Sequence, residues 1–244
     1  MRDIIAGVRT VVFMTLLWGV ITPVWCIPLL ILGRLIPKNK RSFYIVRPYA
    51  YIAVQLARFI CGIKYEVIGL ENIPKGRGVV ISCNHQSTWE TFFLQILFTP
   101  QTQVIKKSLL NIPLFGWTFR LQDPIAIDRD AKSKALKQII SQGTAKIESG
   151  VSVTIFPEGT RSPAGVVGDF SPGAAMLAKK ANCTLLPVSL NPGEFWRNDS
   201  WLKYSGTVTV VIHPEITVEN TKAANQLLED TVRSGVKILG QKAA

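Results

Sequence analysis

From residue 62 onward, short apolar runs rich in β-branched residues alternate with longer segments of helical periodicity. Strands are predicted at 65–70, 78–83, 102–107, 124–128, 151–157, 184–190 and 207–213. Helices are predicted at 87–98, 112–121, 129–150 and 172–181, and a last helix places Leu228, Val232, Val236 and Leu239 at helical spacing. The alternation predicts an α/β fold with a mixed central sheet flanked by helices.

The first sixty residues have a different pattern. Thr10–Gly33 is an uncharged run of 24 residues. As a helix it would be about 36 Å long, enough for a hydrocarbon core of roughly 30 Å. The run is too long for a signal peptide, and no A-x-A cleavage pattern follows it. Pro23 and Pro28 lie inside it, so a straight helix is not expected. A second apolar segment, 49–63, completes an N-terminal helical pair over residues 1–61.

The connection between the two apolar segments is basic and contains no acidic residue. Its cations are Arg34, Lys38, Lys40, Arg41 and Arg47. A hairpin that spanned a membrane twice would place this loop outside, against the positive-inside tendency. We therefore expect a bent, interfacial or re-entrant pair with its charges on the cytoplasmic face. The alternatives are a single span with its N-terminus outside, and a buried helix of a soluble protein.

Charge and composition narrow the class of partner. The chain has 28 basic and 16 acidic residues, a net charge of +12, and 48% apolar residues. A membrane surface with phosphorylated lipid suits both properties, whereas nucleic acid suits only the charge. The chain has no basic aromatic platform, so no nucleic-acid partner is predicted. The four cysteines, at 26, 61, 83 and 183, form no CxxC pair and are interpreted as small buried residues in a reducing compartment.

The stretch NHQSTWE (84–90) holds one of only two histidines, directly after a predicted strand. Ligands of open α/β sheets bind beyond the carboxyl ends of strands, which places His85 at a cleft. There it could act as a general base if Glu90 held its other ring nitrogen. The sequence S-x-x-E over 87–90 is also a capping box, in which Glu90 would only satisfy a backbone N–H. The second histidine, His213, is interpreted as structural.

The stretch FPEGTRS (156–162) follows another predicted strand and turns sharply at Gly159. Arg161 offers a planar fork of donors suited to phosphate. Glu158 could orient Arg161 or accept a hydrogen bond from a substrate hydroxyl. Taken alone, the stretch is equally typical of a turn that carries a salt bridge.

Together, NHQSTWE and FPEGTRS resemble the first and third sequence blocks of the glycerophospholipid acyltransferase family, typified by bacterial 1-acylglycerol-3-phosphate acyltransferases. VIKKSLLNIPLFGW with PIAIDR resembles the second block, and LLPVSL the fourth, in the same order. The resemblance covers roughly 62–215. It implies an acyltransferase domain at 62–244, behind a membrane-anchoring segment at 1–61 that is similar to the anchoring helices of bacterial members.

The resemblance also implies roles for individual residues. His85 would be the catalytic base and Glu90 its carboxylate partner. The phosphate-binding cations would be Lys106 or Lys107, Arg129 and Arg161, while Glu158, Gly159 and Thr160 would form the substrate-binding turn and Pro187 a structural element of the fourth block. One departure is that the family has Asp where this chain has Glu90, whose side chain is one methylene longer.

The implied reaction transfers a fatty acyl group from acyl-CoA or acyl-acyl carrier protein to the hydroxyl of 1-acylglycerol-3-phosphate, which yields phosphatidic acid. It needs no metal and no cofactor. The partners would be the lysophospholipid acceptor, the acyl donor and the membrane surface, on the cytoplasmic face of a bacterial inner membrane. The alternatives are another lysophospholipid acceptor and a lipid-binding relative without catalysis.

Overall fold

All seven predicted strands form, each within two residues of its predicted bounds. The computed structural model describes residues 1–243, and the side-chain surroundings of residues 1–131 and 133–240. The strands are β1 (Ile63–Ile68), β2 (Val80–Cys83), β3 (Gln101–Lys106), β4 (Ile125–Ile127), β5 (Ser152–Ile155), β6 (Leu185–Leu190) and β7 (Gly206–Ile212).

The strands join in one sheet of order β1-β7-β6-β2-β5-β3-β4. Every neighbouring pair is parallel except β6 and β7, which are antiparallel. β1 and β7 therefore run opposite to the other five strands. The sheet is mixed, as the sequence predicted.

Helices cover both faces of the sheet. They are α1 (Arg2–Met14), α2 (Thr22–Leu32), α3 (Arg47–Leu56), α4 (Trp89–Leu97), α5 (Phe115–Phe119), α6 (Lys132–Glu148), α7 (Gly173–Lys180) and α8 (Thr221–Ala243). Side chains of α1, α3 and α4 share one hydrophobic core, and those of α6, α7 and α8 share a second. Strand β2 shows why there are two cores: Ile81 and Cys83 join the first and Val80 joins the second, because alternate side chains point to opposite faces.

The N-terminal run forms one continuous helix, residues 2–35, which we call the first helix. The prolines do not end it. Pro23 lies in the first turn of α2, directly after a π-helical stretch, Thr15–Ile21. The carbonyl of Leu17 accepts from the backbone N–H of Thr22 in this stretch, and the hydroxyl of Thr22 donates to the same oxygen at 2.7 Å. Within the described residues it is the one helix long and apolar enough to cross a membrane, by length and composition alone.

The first helix packs along the α/β domain for nearly its full length. Its buried side chains recur on one face: Ala6, Thr10, Phe13, Leu17, Thr22 and Cys26. At one end the hydroxyl of Thr10 accepts from the backbone N–H of Lys203 at 2.9 Å. At the other, a Cβ at Gly33 would lie 2.6 Å from the side chain of Leu121, so the contact is close there too. The opposite face exposes large apolar side chains, among them Ile4, Val8, Val11, Val24, Ile31 and Leu35.

The second apolar segment is also helical, from a π-helical stretch at Ser42–Val46 through α3 to another at Ala57–Cys61. Tyr49, Ala50, Ala53 and Val54 are buried, and α3 packs against α4. Small alanines permit this close approach of the two helices. The segment therefore contributes directly to the core under the sheet, and Gly62 ends it with a positive φ of 73°.

Candidate active site

Four neighbouring parallel strands, β2, β5, β3 and β4, end at the same edge of the sheet. His85 follows β2, FPEGTRS follows β5, Lys106 ends β3 and Arg129 follows β4. The parallel order places the predicted site segments side by side, although they are far apart in sequence. This edge is where ligands of open α/β sheets usually bind.

His85 and Glu90 form a buried pair. Nδ1 of His85 lies 2.8 Å from Oε1 of Glu90, and their exposed fractions are 7% and 0%. The same oxygen accepts from the backbone N–H groups of Gln86 at 2.9 Å and Ser87 at 2.7 Å. The two contacts that the sequence suggested for Glu90 both form, because one carboxylate oxygen accepts from the backbone at the start of the helix and also lies beside the imidazole. Since a carboxylate only accepts, Nδ1 carries the proton and Nε2 is the basic nitrogen.

Glu158 joins the two sequence stretches. Its Oε1 accepts from the backbone N–H of His85 at 2.7 Å. Its Oε2 accepts from the backbone N–H of Gly168 at 2.8 Å and from the hydroxyl of Ser162. The backbone N–H of Ser162 in turn donates to the carbonyl of His85 at 2.8 Å. Both oxygens of Glu158 are thus engaged by protein donors, and they hold the loop that carries His85.

The imidazole of His85 is also held from its face. The ring of Phe156 stacks on it with centroids 4.1 Å apart and planes 24° apart. A stacked aromatic ring restricts rotation of the imidazole and stabilises a positive charge on it. Among the described residues no protein group bonds Nε2, so this nitrogen is available to a ligand.

His85 lines a cavity of ≈ 290 Å³ between the sheet edge, the first helix, α3 and α5. The walls are mainly apolar: Trp18, Trp25, Ile45, Val46, Tyr49, Phe92, Ile105, Leu109, Ile112, Phe115, Phe119 and Phe156. Apolar walls with a few polar groups are typical of a site for a ligand with a hydrocarbon part.

Three cations line the same cavity: Lys106, Arg129 and Arg161. In the part of the chain that the structure describes, none of them forms an ion pair with a carboxylate. Burial lowers the pKa of Arg129 from its usual value, and the nearby Arg161 lowers it further. Arg161 is held instead by Asn198, whose Oδ1 accepts from it at 3.3 Å. Two guanidinium groups close together without an acid are suited to an anion with several oxygens.

The other predicted site residues do not line this cavity. Lys107 starts the 3-10 turn after β3 and is exposed. Gly159, with φ of 71°, and Thr160 form an exposed turn, while Glu158 faces the His85 loop. Pro187 is buried in β6, opposite Ser82 of β2.

Three further residues that hold parts of the site were not predicted from the sequence. Asn84 bonds Leu190 of β6 twice, by Nδ2 to the carbonyl at 2.8 Å and by Oδ1 from the N–H at 3.0 Å. Phe156 stacks on His85, and Asn198 holds Arg161. Asn84 and Phe156 are the first residues of NHQSTWE and FPEGTRS, so a sequence signal for them was present, whereas Asn198 lies 37 residues from Arg161 in another loop.

The second histidine has a different environment. Nε2 of His213 lies 2.8 Å from the hydroxyl of Ser189, which also contacts the carbonyl of Val232 in α8 at 3.2 Å. Burial lowers the pKa of His213. His213 lies outside the cavity that His85 lines.

The chain is thus an α/β protein, with helices on both faces of its sheet and a histidine–carboxylate pair in a cavity at the strand ends. The acyltransferase family model matches residues 64–191, more than half of the chain. A 1-acyl-sn-glycerol-3-phosphate acyltransferase of Pseudomonas aeruginosa is 44% identical over 221 residues, 88% of this chain and 83% of the relative. One of Borreliella burgdorferi is 30% identical over 73% of this chain and 70% of its own.

A solved structure agrees over the whole length. The crystal structure of the 1-acyl-sn-glycerophosphate acyltransferase PlsC from Thermotoga maritima matches with a TM-score of 0.78 and 25% identity, over 98% of both chains. The chain belongs to the acyltransferase family, and it is an acyltransferase enzyme. The resemblance found in the sequence blocks is confirmed.

Proposed function

We propose that this enzyme transfers a fatty acyl group from an acyl thioester, acyl-CoA or acyl-acyl carrier protein, to the free hydroxyl of 1-acylglycerol-3-phosphate and so forms phosphatidic acid. One observation carries the proposal: a buried His85–Glu90 pair and three cations without acidic partners line one apolar cavity. A lysophospholipid phosphate has the matching parts, a hydroxyl, a phosphate and an acyl chain. The names of the two relatives and of the solved structure support this acceptor.

The reaction follows from the tautomer of His85. Nε2 takes the proton of the acceptor hydroxyl as the oxygen attacks the thioester carbonyl. The C–S bond then breaks, and the thiolate leaves with the proton that His85 returns. Throughout, the carboxylate of Glu90 at 2.8 Å stabilises the transient imidazolium, as does the stacked ring of Phe156.

Glu90, where the family has Asp, is accommodated by the loop. Oε1 already reaches Nδ1 of His85 while it accepts two backbone N–H groups of the helix start. These bonds fix the longer side chain in one position. We therefore propose that Glu90 serves the same orienting role as the shorter acid.

Lys106, Arg129 and Arg161 are proposed to bind the acceptor phosphate, because all three line the cavity and lack carboxylate partners. Glu158 is proposed to support acceptor binding through the His85 loop that it holds, and Gly159 and Thr160 to shape the turn that carries Arg161. Lys107 would add positive charge at the rim.

For residues 1–61 we propose a membrane anchor that lies in the plane of the cytoplasmic leaflet of a bacterial inner membrane, with residues 62–244 as the acyltransferase domain. The first helix is about 50 Å long, and its buried face follows the domain from Ala6 to Cys26. A helix packed in this way cannot cross a bilayer without taking the domain into it. Its exposed apolar face suits interfacial binding instead.

The test is acyl transfer by the membrane-extracted enzyme with a labelled acyl donor. The acceptors are 1-acylglycerol-3-phosphate, 1-acylglycerol without phosphate, and lysophospholipids with larger headgroups. Acyl-CoA and acyl-acyl carrier protein are compared as donors. Wild type, Glu90→Asp and His85→Ala are run in parallel.

Product with 1-acylglycerol-3-phosphate, lost in His85→Ala, is the expected result. Product only with another lysophospholipid would replace the acceptor and keep the enzyme class. Near-normal transfer by His85→Ala would contradict the role of His85. Binding of lysophospholipid without turnover by any donor would favour a lipid-binding relative.

A further inference from the structure

Exposed large apolar side chains are not scattered evenly over the described part of the chain. Beyond residue 70 there are seven of them: Leu109, Ile112, Trp117, Val166, Trp201, Leu227 and Ile238. Three of the seven fall within nine residues, 109–117, with exposed fractions of 40%, 36% and 46%. Apolar groups that recur so closely on a surface indicate a binding face.

These three residues belong to residues 107–122, the connection between β3 and β4, which we call the wall segment. It comprises a 3-10 turn at Lys107–Asn111, α5, and a second 3-10 turn at Arg120–Gln122. Its side chains Phe115 and Phe119 line the cavity of the site, and so do the partly exposed Leu109 and Ile112, whereas Trp117 does not. The wall segment therefore separates the cavity from the surface.

The wall segment is tightly built. Arg120 donates to the carbonyl of Leu110 through Nε at 3.2 Å and Nη2 at 3.0 Å. Gly116 lies so close to the other half that a Cβ there would be 2.3 Å from the carbonyl oxygen of Leu109. Trp117 is therefore held in its exposed position by the packing of the wall segment.

The first helix lies directly beside the wall segment. The ring of Trp18 meets the ring of Phe115 edge-on, with centroids 5.5 Å apart. Arg41, in the connection after the first helix, donates to the carbonyl of Leu121 at 3.1 Å. The exposed face of the wall segment is therefore a neighbour of the apolar face of the first helix, on the layer opposite to α6, α7 and α8.

Charge surrounds these apolar side chains. Lys106, Lys107 and Arg120 flank them, and residues 101–122 contain no acidic residue. Tryptophan with nearby cations is the combination that binds at the boundary between lipid headgroups and acyl chains. A soluble partner would need neither the apolar neighbour nor this uniform sign of charge.

We propose that the wall segment is a second bilayer contact, in which Trp117 enters the lipid interface next to the first helix while Leu109 and Ile112, which also line the cavity, lie at the cavity mouth beside it. The proposal rests on the proposed function for its rate measurement, but its binding measurement does not.

The test uses Trp117→Ser, because Trp117 is exposed and does not line the cavity. Leu227→Ser is the matched control, a 53% exposed apolar residue on α8 in the opposite layer. Trp117→Leu keeps an apolar side chain. Each full-length variant is checked by thermal unfolding and assayed twice, with the acceptor in vesicles of phosphatidylethanolamine and phosphatidylglycerol, and with a short-chain acceptor in monomeric solution. Co-sedimentation with the same vesicles, without substrate, is measured in parallel.

In Trp117→Ser the vesicle rate should fall about tenfold, the factor for roughly 1.4 kcal/mol of binding. The rate with monomeric acceptor should stay unchanged, Trp117→Leu should recover most of the loss, and co-sedimentation should weaken. Equal losses with both acceptors, or equal losses in Leu227→Ser, would overturn the proposal. If wild type transfers acyl groups to neither acceptor, the proposed function fails. Co-sedimentation does not depend on that function, and unchanged co-sedimentation of Trp117→Ser would overturn the bilayer contact.

Discussion

The His85–Glu90 pair and the cationic rim of Lys106, Arg129 and Arg161 line the same cavity but are held in opposite ways. Glu90 is fully buried and accepts three protein donors through one oxygen. The rim cations have no carboxylate partner among the described residues. In the proposed reaction, the groups that take part in proton transfer are fixed by the backbone, whereas the groups proposed to bind the phosphate keep their charge free for it.

The largest expected effect is on the pair itself. His85→Ala should lower kcat by roughly 10²–10⁴-fold, the contribution of a general base, with little change in KM. Glu90→Ala should lower kcat too, because the tautomer and orientation of His85 are lost. The double variant should be no slower than His85→Ala, because the two residues act as a unit. Single-turnover rates of the two single variants and the double variant test this. If the double variant loses the product of the two single losses, the two residues act independently and not as a unit.

The rim should behave differently. Arg161→Ala should raise KM for a phosphate-bearing acceptor about tenfold, the loss of one charge-assisted contact, and should change kcat little. An acceptor without phosphate should be insensitive to the substitution. Steady-state rates over a range of salt concentrations measure both, since added salt weakens charge interactions at exposed sites.

Arg197→Ala is the control for the rim. Arg197 is also an exposed arginine, but it pairs with Asp199 and lies outside the cavity. If Arg197→Ala raises KM as much as Arg161→Ala, the effect is general surface charge and the rim has no specific role.

A substitution at Glu158 tests whether the loop contacts of this residue position the His85–Glu90 pair. Glu158→Gln replaces one of the two carboxylate oxygens by an N–H₂ group, which cannot accept a hydrogen bond, so that the backbone N–H of either His85 or Gly168 loses its acceptor. We expect a several-fold lower kcat, unchanged KM, and a stability loss of about 1–3 kcal/mol for the unpaired buried donor. Kinetics and urea unfolding are measured together. A raised KM with unchanged kcat would instead place Glu158 at the acceptor.

Sequence alone predicted the strands within two residues, because buried runs and turn residues specify them locally. It also indicated the contact between His85 and Glu90, since both residues lie in one stretch with the capping sequence S-x-x-E. The strand order that aligns His85 with Arg129 depends on packing between distant segments, which no local pattern encodes. For the same reason the contact of Asn198 with Arg161 and the wall segment beside Trp18 were not predicted.

The continuous first helix shows the limit of a local rule. Pro23 and Pro28 disfavour a helix because each removes a hydrogen bond. Here the helix continues through both prolines, with a π-helical stretch directly before Pro23, and burial of Phe13 and Leu17 stabilises it. Packing against the rest of the protein therefore outweighs the low helix propensity of the two prolines.

The smallest expected effect concerns His213, the histidine outside the cavity. Burial lowers its pKa, so the unfolded chain binds a proton more tightly than the folded chain. The stability that this imparts is present above the unfolded value of about 6.5 and is lost as pH falls through the folded pKa. In His213→Gln, Tm should therefore fall less between neutral and mildly acidic pH than in wild type, with acyl transfer unchanged. Parallel Tm curves would show that His213 does not titrate in this range, and lost activity would extend the functional site beyond the His85 edge of the sheet.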